Sequence, residues 1–565
     1  MSDVSNLLHP GVYIKELPGL PSMVGASTSI PVFIGATEKL ADGDCNVARP
    51  VRGWADYQAR YGSFVFGAQV GAAVFEFFAL GGAFCYVIGV APDPLPQVAN
   101  VDVPDPLATI HVVAASMGDW ANDTVQVVTL DAGPIPSNAS AANTFTLNVV
   151  IDASVIADPT TVWQKLLKVY VTTNAIKPAP LSPAGQDNYY ILESYGAFNA
   201  ASLTPPAGAT TCPLQDVINA KSMFIRVQTV TSSGANSGGD RTSTLVPLEP
   251  GDTVAYNASF YEDALKAVSA VPDATLIAIP DAAIIDMSDP DPATAVTAAK
   301  PLKDVVSSVF TAFTHLPNMF YVIDSPYVDT PSDTQNIVDF VTGGTDALPV
   351  MNDHAAIYYP YIVVLNPISG YSVPVPPSGA VLGLYANTDM NAGVWVSPAG
   401  VVNGRVTTAT ALTGWLSEGD QDTCNPHGIN VIRPISGYGI TIYGARTLNP
   451  GTSTRYVSVR RFLTYVEQTI KAGLQWVVFQ NINEILYTTV VRETTAFLTS
   501  LWNMGALYGA TVDQAFFVTC DDTNNTPDQR AKGILNVAVG LAVLSPAEFV
   551  VVTISQITGS PSSGS

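Results

Sequence analysis

The chain has 565 residues, of which 47% are apolar and only 13% charged, and its formal net charge is −23. This length predicts two to four domains. The excess of acid opposes binding to nucleic-acid phosphates. The small charged fraction indicates that much of the surface is covered, most simply by other copies of the same chain.

The first predicted element is a short strand at residues 12–17, flanked by Pro10-Gly11 and Pro18-Gly19. Its residues are Val12, Tyr13, Ile14, Lys15, Glu16 and Leu17. A strand needs partners for its backbone N–H and C=O groups. The flanking Pro-Gly pairs block a tight hairpin onto the next segment, so the local sequence leaves the partner of this strand open.

The chain start has no basic or strongly apolar leader, so we expect no signal peptide and a cytoplasmic product. The cysteines are widely spaced and odd in number, which predicts reduced and mostly buried thiols. They are Cys45, Cys85, Cys212, Cys424 and Cys520.

Residues 71–91 are apolar and long enough to cross a membrane. However, Glu76 lies inside this stretch and Gly81-Gly82 interrupts it. We therefore predict a buried helix to about residue 80, a glycine turn and a strand at residues 84–90, with no membrane insertion. With the apolar run at residues 30–36, this gives a β-α-β beginning.

Residues 95–248 are rich in Thr, Ser, Val, Asn and Pro and read as short alternating strands separated by turns. From about residue 260 strands and helices alternate, which predicts a parallel or mixed sheet with helices packed on it. AAIYYPYIVVLNP is predicted as one strand of that sheet.

The last third predicts two helices with apolar stripes, at residues 456–472 and 484–504. The second stripe includes Ile485, Leu486 and Val490. A final strand, EFVVVTISQ, contains Phe549, Val550, Val551, Val552 and Ile554.

No catalytic, metal or cofactor site gains support from the sequence. GYGITIYG lacks the third glycine of a dinucleotide loop and reads as a strand. DGDCN is followed by Val47 where a calcium loop needs glycine. Gly451-Thr452-Ser453 is typical of a nucleophile loop, but none of the five histidines has a catalytic context. We therefore expect no enzyme activity.

Five arginines and no acidic residue occur between residues 433 and 461: Arg433, Arg446, Arg455, Arg460 and Arg461. Two interpretations stay open. The guanidinium groups pair with carboxylates elsewhere in the same fold, or they contact an acidic neighbouring subunit.

Several stretches occurring in order together resemble the sheath proteins of contractile phage tails and related injection machines. They include HPGVYIKELP, VPPSGAVLGLYANTDMNAGVWVSPAG, GINVIRPISGYGITIYGARTL and RYVSVRRFLTYVEQTIKAGLQWVVFQ. The resemblance covers residues 9–90 and about 260–556. Residues 95–248 carry no family motif and look like a variable outer insertion.

The resemblance implies an α/β core with a mixed sheet and flanking helices, subtilisin-like but without a triad. It also implies a β-rich inserted domain and extended terminal strand arms that add strands to the sheets of neighbouring subunits. The strand at residues 12–17 would then join a neighbour's sheet, beside that neighbour's EFVVVTISQ strand or one supplied by a third copy. We expect an N-terminal arm at 1–25, core at 26–94, insertion at 95–250, core with C-terminal sheath domain at 251–545, and a C-terminal arm at 546–565.

The resemblance also implies a function and partners. Subunits would form a six-fold helical homo-oligomer around an inner tube protein and contract to drive the tube through a target cell envelope. Baseplate and tail terminator proteins would be further partners, and the product would be part of a phage tail or similar particle. Type VI secretion sheaths divide the family sequence over two chains, whereas here it lies in one chain. This favours a phage tail, a tailocin or an extracellular injection system.

Two other functions stay open at this point. The chain could be a host-facing or capsid-like binding protein that uses the β-rich insertion for recognition. It could also be a degenerate hydrolase on an α/β scaffold.

Overall fold

The computed structural model describes most of the chain between residues 23 and 549. The described ranges are 23–41, 43–91, 97–105, 108–116, 120–122, 124–131, 144–180, 188–232, 246–249, 258–284, 300–332, 334–343, 348 and 352–549. The predicted N-terminal strand at residues 12–17 and residues 550–565 of the predicted C-terminal arm lie outside them.

The described residues fold as a mixed α/β protein. The strands in chain order are β1 (Pro31–Gly35), β2 (Arg49–Val51), β3 (Cys85–Gly89), β4 (Asn100–Asp105), β5 (Ala108–Ala114), β6 (Gln126–Asp131), β7 (Phe145–Asp152), β8 (Pro178–Pro180), β9 (Asn188–Phe198), β10 (Ile225–Ser232), β11 (Val246–Pro247), β12 (Leu276–Ala278), β13 (Phe320–Asp324), β14 (Ala355–Tyr359), β15 (Ile362–Leu365), β16 (Ser372–Val375), β17 (Ala409–Leu412), β18 (Ile429–Ile435), β19 (Gly439–Ile442), β20 (Phe516–Thr519) and β21 (Ala538–Leu541). The α-helices are α1 (Trp54–Tyr61), α2 (Gln69–Ala79), α3 (Ala153–Ala157), α4 (Val162–Thr173), α5 (Pro213–Lys221), α6 (Ala258–Ala267), α7 (Lys300–Ala312), α8 (Gln335–Thr342), α9 (Ser378–Asn391), α10 (Gly400–Asn403), α11 (Glu418–Cys424), α12 (Val457–Gly473), α13 (Glu484–Asn503), α14 (Val512–Ala515) and α15 (Pro527–Ala531).

The chain divides into two compact units. One comprises residues 1–26 and 463–544, and the other comprises residues 27–462 and 545–565. The division falls inside helix α12. We call these the terminal unit and the main unit.

The main unit is built on an eight-stranded sheet in the order β19-β18-β14-β13-β12-β1-β3-β2. Its six inner strands are parallel, and the edge strands β2 and β19 run antiparallel to their neighbours. Both faces of the sheet are covered, because Phe33 of β1 packs in one hydrophobic cluster while Val32 and Ile34 pack in another. Such double burial explains the continuous apolar runs in the sequence.

Three further sheets complete the main unit. Strands β10-β5-β4 and β11-β6-β7-β9-β8 form two antiparallel sheets within residues 100–247, and β16-β15-β17 form a third. The alternating pattern of residues 95–248 thus correctly predicts strands. Buried side chains of these strands such as Val101 and Leu147 belong to the hydrophobic cluster of Phe33, whereas Val128, Val150 and Tyr189 form a separate small cluster.

Two buried aspartates hold helix starts at the carboxyl end of the parallel strands. Asp281, just after β12, accepts hydrogen bonds from the backbone N–H groups of Ala36 (2.7 Å) and Gln69 (2.8 Å). Asp324, the last residue of β13, accepts one from the N–H of Ser378 (2.6 Å). The residues preceding α2 and α9 provide no side-chain cap, so each aspartate supplies it from a distant part of the chain.

Helices α2 and α9 pack against each other with very close backbones. A Cβ atom on Gly379 would clash with the backbone of Ala73, and one on Gly383 would crowd the carbonyl of Phe77. The two aspartates therefore fix the starts of two helices that also depend on each other.

Several predicted elements are confirmed, and two details are wrong. The stretch at 71–91 is helix α2, a turn and strand β3, and no helix among the described residues is long and apolar enough to span a membrane. AAIYYPYIVVLNP is two strands in different sheets, because Pro360 has no N–H with which to continue the ladder. Ile485 is not part of a buried stripe, since 78% of it is exposed.

We predict that Asp324→Asn flattens the pH dependence of stability between about pH 4 and 7. Burial raises the pKa of Asp324 from 3.8 to about 7. In this window the folded chain keeps a proton that the unfolded chain loses, so the free energy of unfolding falls as pH rises and levels off above pH 7. One such group contributes a slope of about 1.4 kcal/mol per pH unit, which the amide removes.

The measurement is urea unfolding at a series of pH values, with Asp513→Asn, at an exposed helix position, as the matched control. Asp281 stays in the variant, and burial raises its pKa to about 7 as well, so some pH dependence persists. Parallel curves for Asp324→Asn and the parent chain would contradict the prediction.

Candidate assembly surfaces

Among the five clustered arginines, Arg461 is part of the core. Its guanidinium pairs with Asp389 and donates to the carbonyl of Thr28 at 2.8 Å. Both charged side chains are less than 5% exposed, and the guanidinium carbon lies 4.6 Å from the ring centre of Tyr385. Such a pair needs good geometry because its desolvation is costly.

Arg446 binds the beginning of the C-terminal segment. Its Nε and Nη2 atoms donate to the two carboxylate oxygens of Glu548, at 2.9 and 2.7 Å. Asn425 and Tyr456 donate to the same carboxylate, at 2.8 and 3.0 Å. Burial raises the pKa of Glu548, but these hydrogen bonds outweigh it and leave the pKa below its ordinary value. The next residue, Phe549, is 74% exposed.

The other three arginines differ in their surroundings. Arg433 reaches the exposed carboxylate of Glu418 at 3.4 Å and lies over the ring of Tyr443. Arg460 lies 3.7 Å from Asp353. Arg455 is exposed, and its guanidinium group lies over the ring of Tyr456.

Internal pairing therefore accounts for most of this cluster. Four arginines have a carboxylate partner in the same chain, and two of these pairs are buried or nearly so. A role at an interface between subunits stays a prediction for the five residues. Arg455 is the member best placed for it because its charge faces solvent.

The N-terminal segment enters the described structure along helix α12 of the terminal unit. The N–H of Ala26 donates to the hydroxyl of Thr469 at 3.0 Å. Gly25 lies against Tyr465, and Met23 lies against Gly473. Tyr465, Thr469 and Gly473 are four residues apart, so they form one face of the helix. The segment thus follows this face toward the helix C-terminus as it runs back to residue 23.

The terminal unit also contains a small sheet, β20-β21, paired from Phe516↔Leu541 to Thr519↔Ala538. Within the described residues this sheet has two strands, and neither contains proline. By contrast, five of the eight edge strands of the main unit contain proline: β2, β4, β8, β11 and β16. Proline on an edge strand blocks the addition of another strand.

Ser453 lies in a turn and not in a nucleophile loop entering a helix. Nearby, the Thr454 hydroxyl donates to Asp353 (2.7 Å), which also contacts His354 (2.9 Å). Burial raises the pKa of Asp353, but the bonds from His354 and Thr454 lower it to about 2. A carboxylate with so low a pKa is a poor general base.

The DGDCN segment, which the sequence predicts not to be a calcium loop, contains Asp44. The carboxylate of Asp44 forms ion pairs with Arg49 and Arg60.

The sequence did not reveal Glu548 as a binding residue, since its partners are about 90 to 120 positions away. The predicted strand residue Phe549 is described but lies in no strand, and Val550, Val551, Val552 and Ile554 lie outside the described residues.

The five cysteines are free, and four are buried as predicted, whereas Cys45 is exposed.

Family models match the last two fifths of the chain. Residues 327–448 match the phage tail sheath protein central domain, and residues 449–557 match the phage tail sheath C-terminal domain. The tail sheath protein of Vibrio phage KVP40 is 30% identical over 152 residues, 27% of this chain and 22% of that protein. The chain therefore spans about a fifth of the length of that curated relative.

Solved structures match almost the whole chain. The sheath complex of an extracellular contractile injection system, PVC, in the contracted state has a TM-score of 0.54 and 18% identity, covering 98% of this chain and 99% of that one. The helical sheath of the anti-feeding prophage in the contracted state has a TM-score of 0.53 and 20% identity, covering 98% and 100%. The chain thus has the fold of these sheath proteins.

We predict that Arg446→Ala loosens the start of the C-terminal segment. The carboxylate of Glu548 loses the two hydrogen bonds from the Arg446 guanidinium. A hydrogen bond to a charged group contributes about 1.5–3 kcal/mol to stability. Hydrogen exchange at residues 545–549 should therefore become at least tenfold faster. Arg455→Ala is the matched control, and it should leave exchange at these residues unchanged. Equal protection of 545–549 in all three proteins would contradict this account.

Proposed function

We propose that this chain, which carries the central and C-terminal domains of the phage tail sheath family over residues 327–557, is the structural subunit of a contractile sheath. Copies polymerise helically around an inner tube and contract to drive that tube through a target cell envelope. The protein is a component of a phage tail or a related injection particle. Its task is mechanical, and no catalytic step is assigned to it.

The observation that carries the proposal is the contrast between blocked and open sheet edges. Most edge strands of the main unit contain proline, whereas the β20-β21 sheet of the terminal unit contains none. An open edge accepts an extended segment through main-chain hydrogen bonds. The N-terminal segment, whose residues 12–17 the sequence predicts as a strand, is the donor that we propose, together with the C-terminal segment that begins beside Glu548.

Linkage by added strands suits a sheath that changes length. Each hydrogen bond contributes only about 1 kcal/mol net, so a seam of four or five bonds is weak alone. Repetition along a polymer makes the mesh strong, and links made through the chain ends leave each core able to move as a rigid body. A neighbour-to-neighbour link of this kind does not close on itself and builds a filament.

The finer features of the assembly belong to the same proposal. The sheath is six-fold, the core is subtilisin-like without a triad, and residues 95–250 form an outer inserted domain. Segments 1–25 and 546–565 are the linking arms, and 26–94 with 251–545 form the core. Baseplate and tail terminator proteins bind the two ends of the polymer. The low charge of the chain supports extensive coverage by such partners.

Contraction requires that the contracted state has more favourable contacts than the loaded state. We propose that the exposed Arg455 gains a carboxylate partner on an adjacent subunit during contraction. In a chain of net charge −23, an exposed cation in an acid-free stretch is a natural contact between copies.

Deleting residues 1–18 should leave a folded chain that does not form tubes, because the donor strand is lost while the described core keeps its contacts. Circular dichroism and thermal unfolding report the fold, and negative-stain microscopy reports assembly. A synthetic peptide of residues 9–22 should slow the assembly of the full chain, because it occupies the open sheets without linking subunits. A peptide of the same composition in scrambled order is the control.

Normal tubes from the truncated chain would refute the role of the N-terminal arm. An equal effect of the ordered and scrambled peptides would contradict strand addition as its mechanism.

Arg455→Glu should reduce the heat released on contraction and leave the fold intact, because the reversed charge repels the acidic neighbour. Scanning calorimetry of assembled particles measures this heat. Lys532→Glu changes the net charge equally at another exposed site and is the matched control. If Arg455→Glu sheaths contract with unchanged heat, the arginine cluster is internal structure alone.

A further inference from the structure

Helices α12 and α13 are joined by a short segment whose tip is a tight turn. The N–H of Gln480 donates to the carbonyl of Val477 at 3.0 Å, so residues 477–480 form a β-turn. Val478 has φ −62° and ψ 129°, and Phe479 has φ 68°. These angles define a type II turn, in which the third position requires positive φ and normally holds glycine.

Phe479 is therefore an unfavourable residue for its own fold. A bulky side chain at positive φ is strained. No packing offsets this strain, because the Phe479 side chain is fully exposed, and 59% of the adjacent Val478 is exposed as well. A glycine would satisfy the turn at lower cost, so the aromatic ring points to a contact outside the subunit.

Charge indicates what the tip contacts. Residues 474–483 contain no charged side chain, although the whole chain has a net charge of −23. Most of the surface of one copy repels another, whereas this tip approaches without repulsion. Ile485, in the first turn of α13, is also exposed and extends the apolar character of the sequence around the tip.

The same unit contains an apolar groove that an aromatic side chain fits. It runs along α13 and ends at the residues that follow β20, and its volume is about 760 Å³. Tyr487, Val491 and Thr495 line it along one face of the helix, and Cys520 closes one side. Its charged lining residues are Glu484, Arg492 and Asp521, so the carboxylates outnumber the cation and an uncharged tip enters it more readily than an acidic one.

We propose that Phe479 of one copy inserts into the α13 groove of an adjacent copy. The inference rests on the proposed function, since it assigns one more contact between sheath subunits. The tip and the groove consist of different residues, so one copy can receive the tip of one neighbour and offer its own tip to the next, as in a heterologous contact. A central aromatic side chain in a pocket is the usual anchor of a protein interface.

The test places the photoreactive residue p-benzoylphenylalanine at position 479 and irradiates assembled tubes of the full chain. Mass spectrometry should locate cross-links at residues 484–496 or 520–521 of another copy. Cross-links mainly to a different region of the sheath chain, or to a different protein of the particle, would overturn the proposal. Absence of any cross-link in well-formed tubes would overturn it too.

A second variant separates assembly from folding. Phe479→Gly removes the ring and relieves the turn, so its unfolding temperature should equal or exceed that of the parent chain, while its assembly rate should fall at least tenfold. Gln480→Gly changes the adjacent residue and is the matched control, expected to assemble normally. Assembly of Phe479→Gly at the parent rate would overturn the proposal. If the parent chain itself forms no tubes, the failure lies in the proposed function.

Discussion

The fold of the main unit depends on two buried carboxylates at the carboxyl end of its parallel sheet. Asp281 comes just after β12 and accepts a hydrogen bond from the first N–H group of α2. Asp324 is the last residue of the neighbouring strand β13 and accepts one from the first N–H group of α9. Unsatisfied N–H groups at a buried helix start are costly. Each aspartate thus ties a helix to a strand that is distant in sequence, and the close glycine contact between α2 and α9 joins the two supports.

The chain carries few charges, and part of its cationic charge is neutralised inside the fold. Ion pairs within the main unit use several of the few cations internally: Arg461 with Asp389, Arg446 with Glu548, and Arg49 and Arg60 with Asp44. In the proposed sheath, the contacts between neighbours are then backbone edges, terminal segments and an uncharged apolar tip. We propose that such contacts allow large rigid-body movements while the links themselves stay in place.

The sequence predicted regular elements well wherever burial set the pattern. The alternation of helices and buried strands, the helix-turn-strand at 71–91 and the two long C-terminal helices follow from periodicity alone. Pro360 divides a single apolar run into strands of two sheets, which periodicity cannot detect. Ile485 continues a helical stripe in sequence but faces solvent, because position in a stripe does not specify what covers it.

The candidate surfaces were less accessible to sequence reasoning. The acid-free arginine stretch was visible, but the partners Asp389 and Glu548 are distant in the chain, and local spacing does not predict such pairs. Phe479 gave no signal at all, because its positive φ and full exposure are properties of the folded turn. The predicted strand at residues 12–17 rests on its sequence and its flanking Pro-Gly pairs, and it lies outside the described residues.

Electron microscopy of the purified full chain tests the central claim most directly. The claim is that copies of this chain alone contain the links of a helical polymer. At raised protein concentration and moderate salt, we expect hollow tubes with a regular helical rise. Isolated particles at every concentration and ionic strength would contradict a sheath built through heterologous contacts between identical subunits.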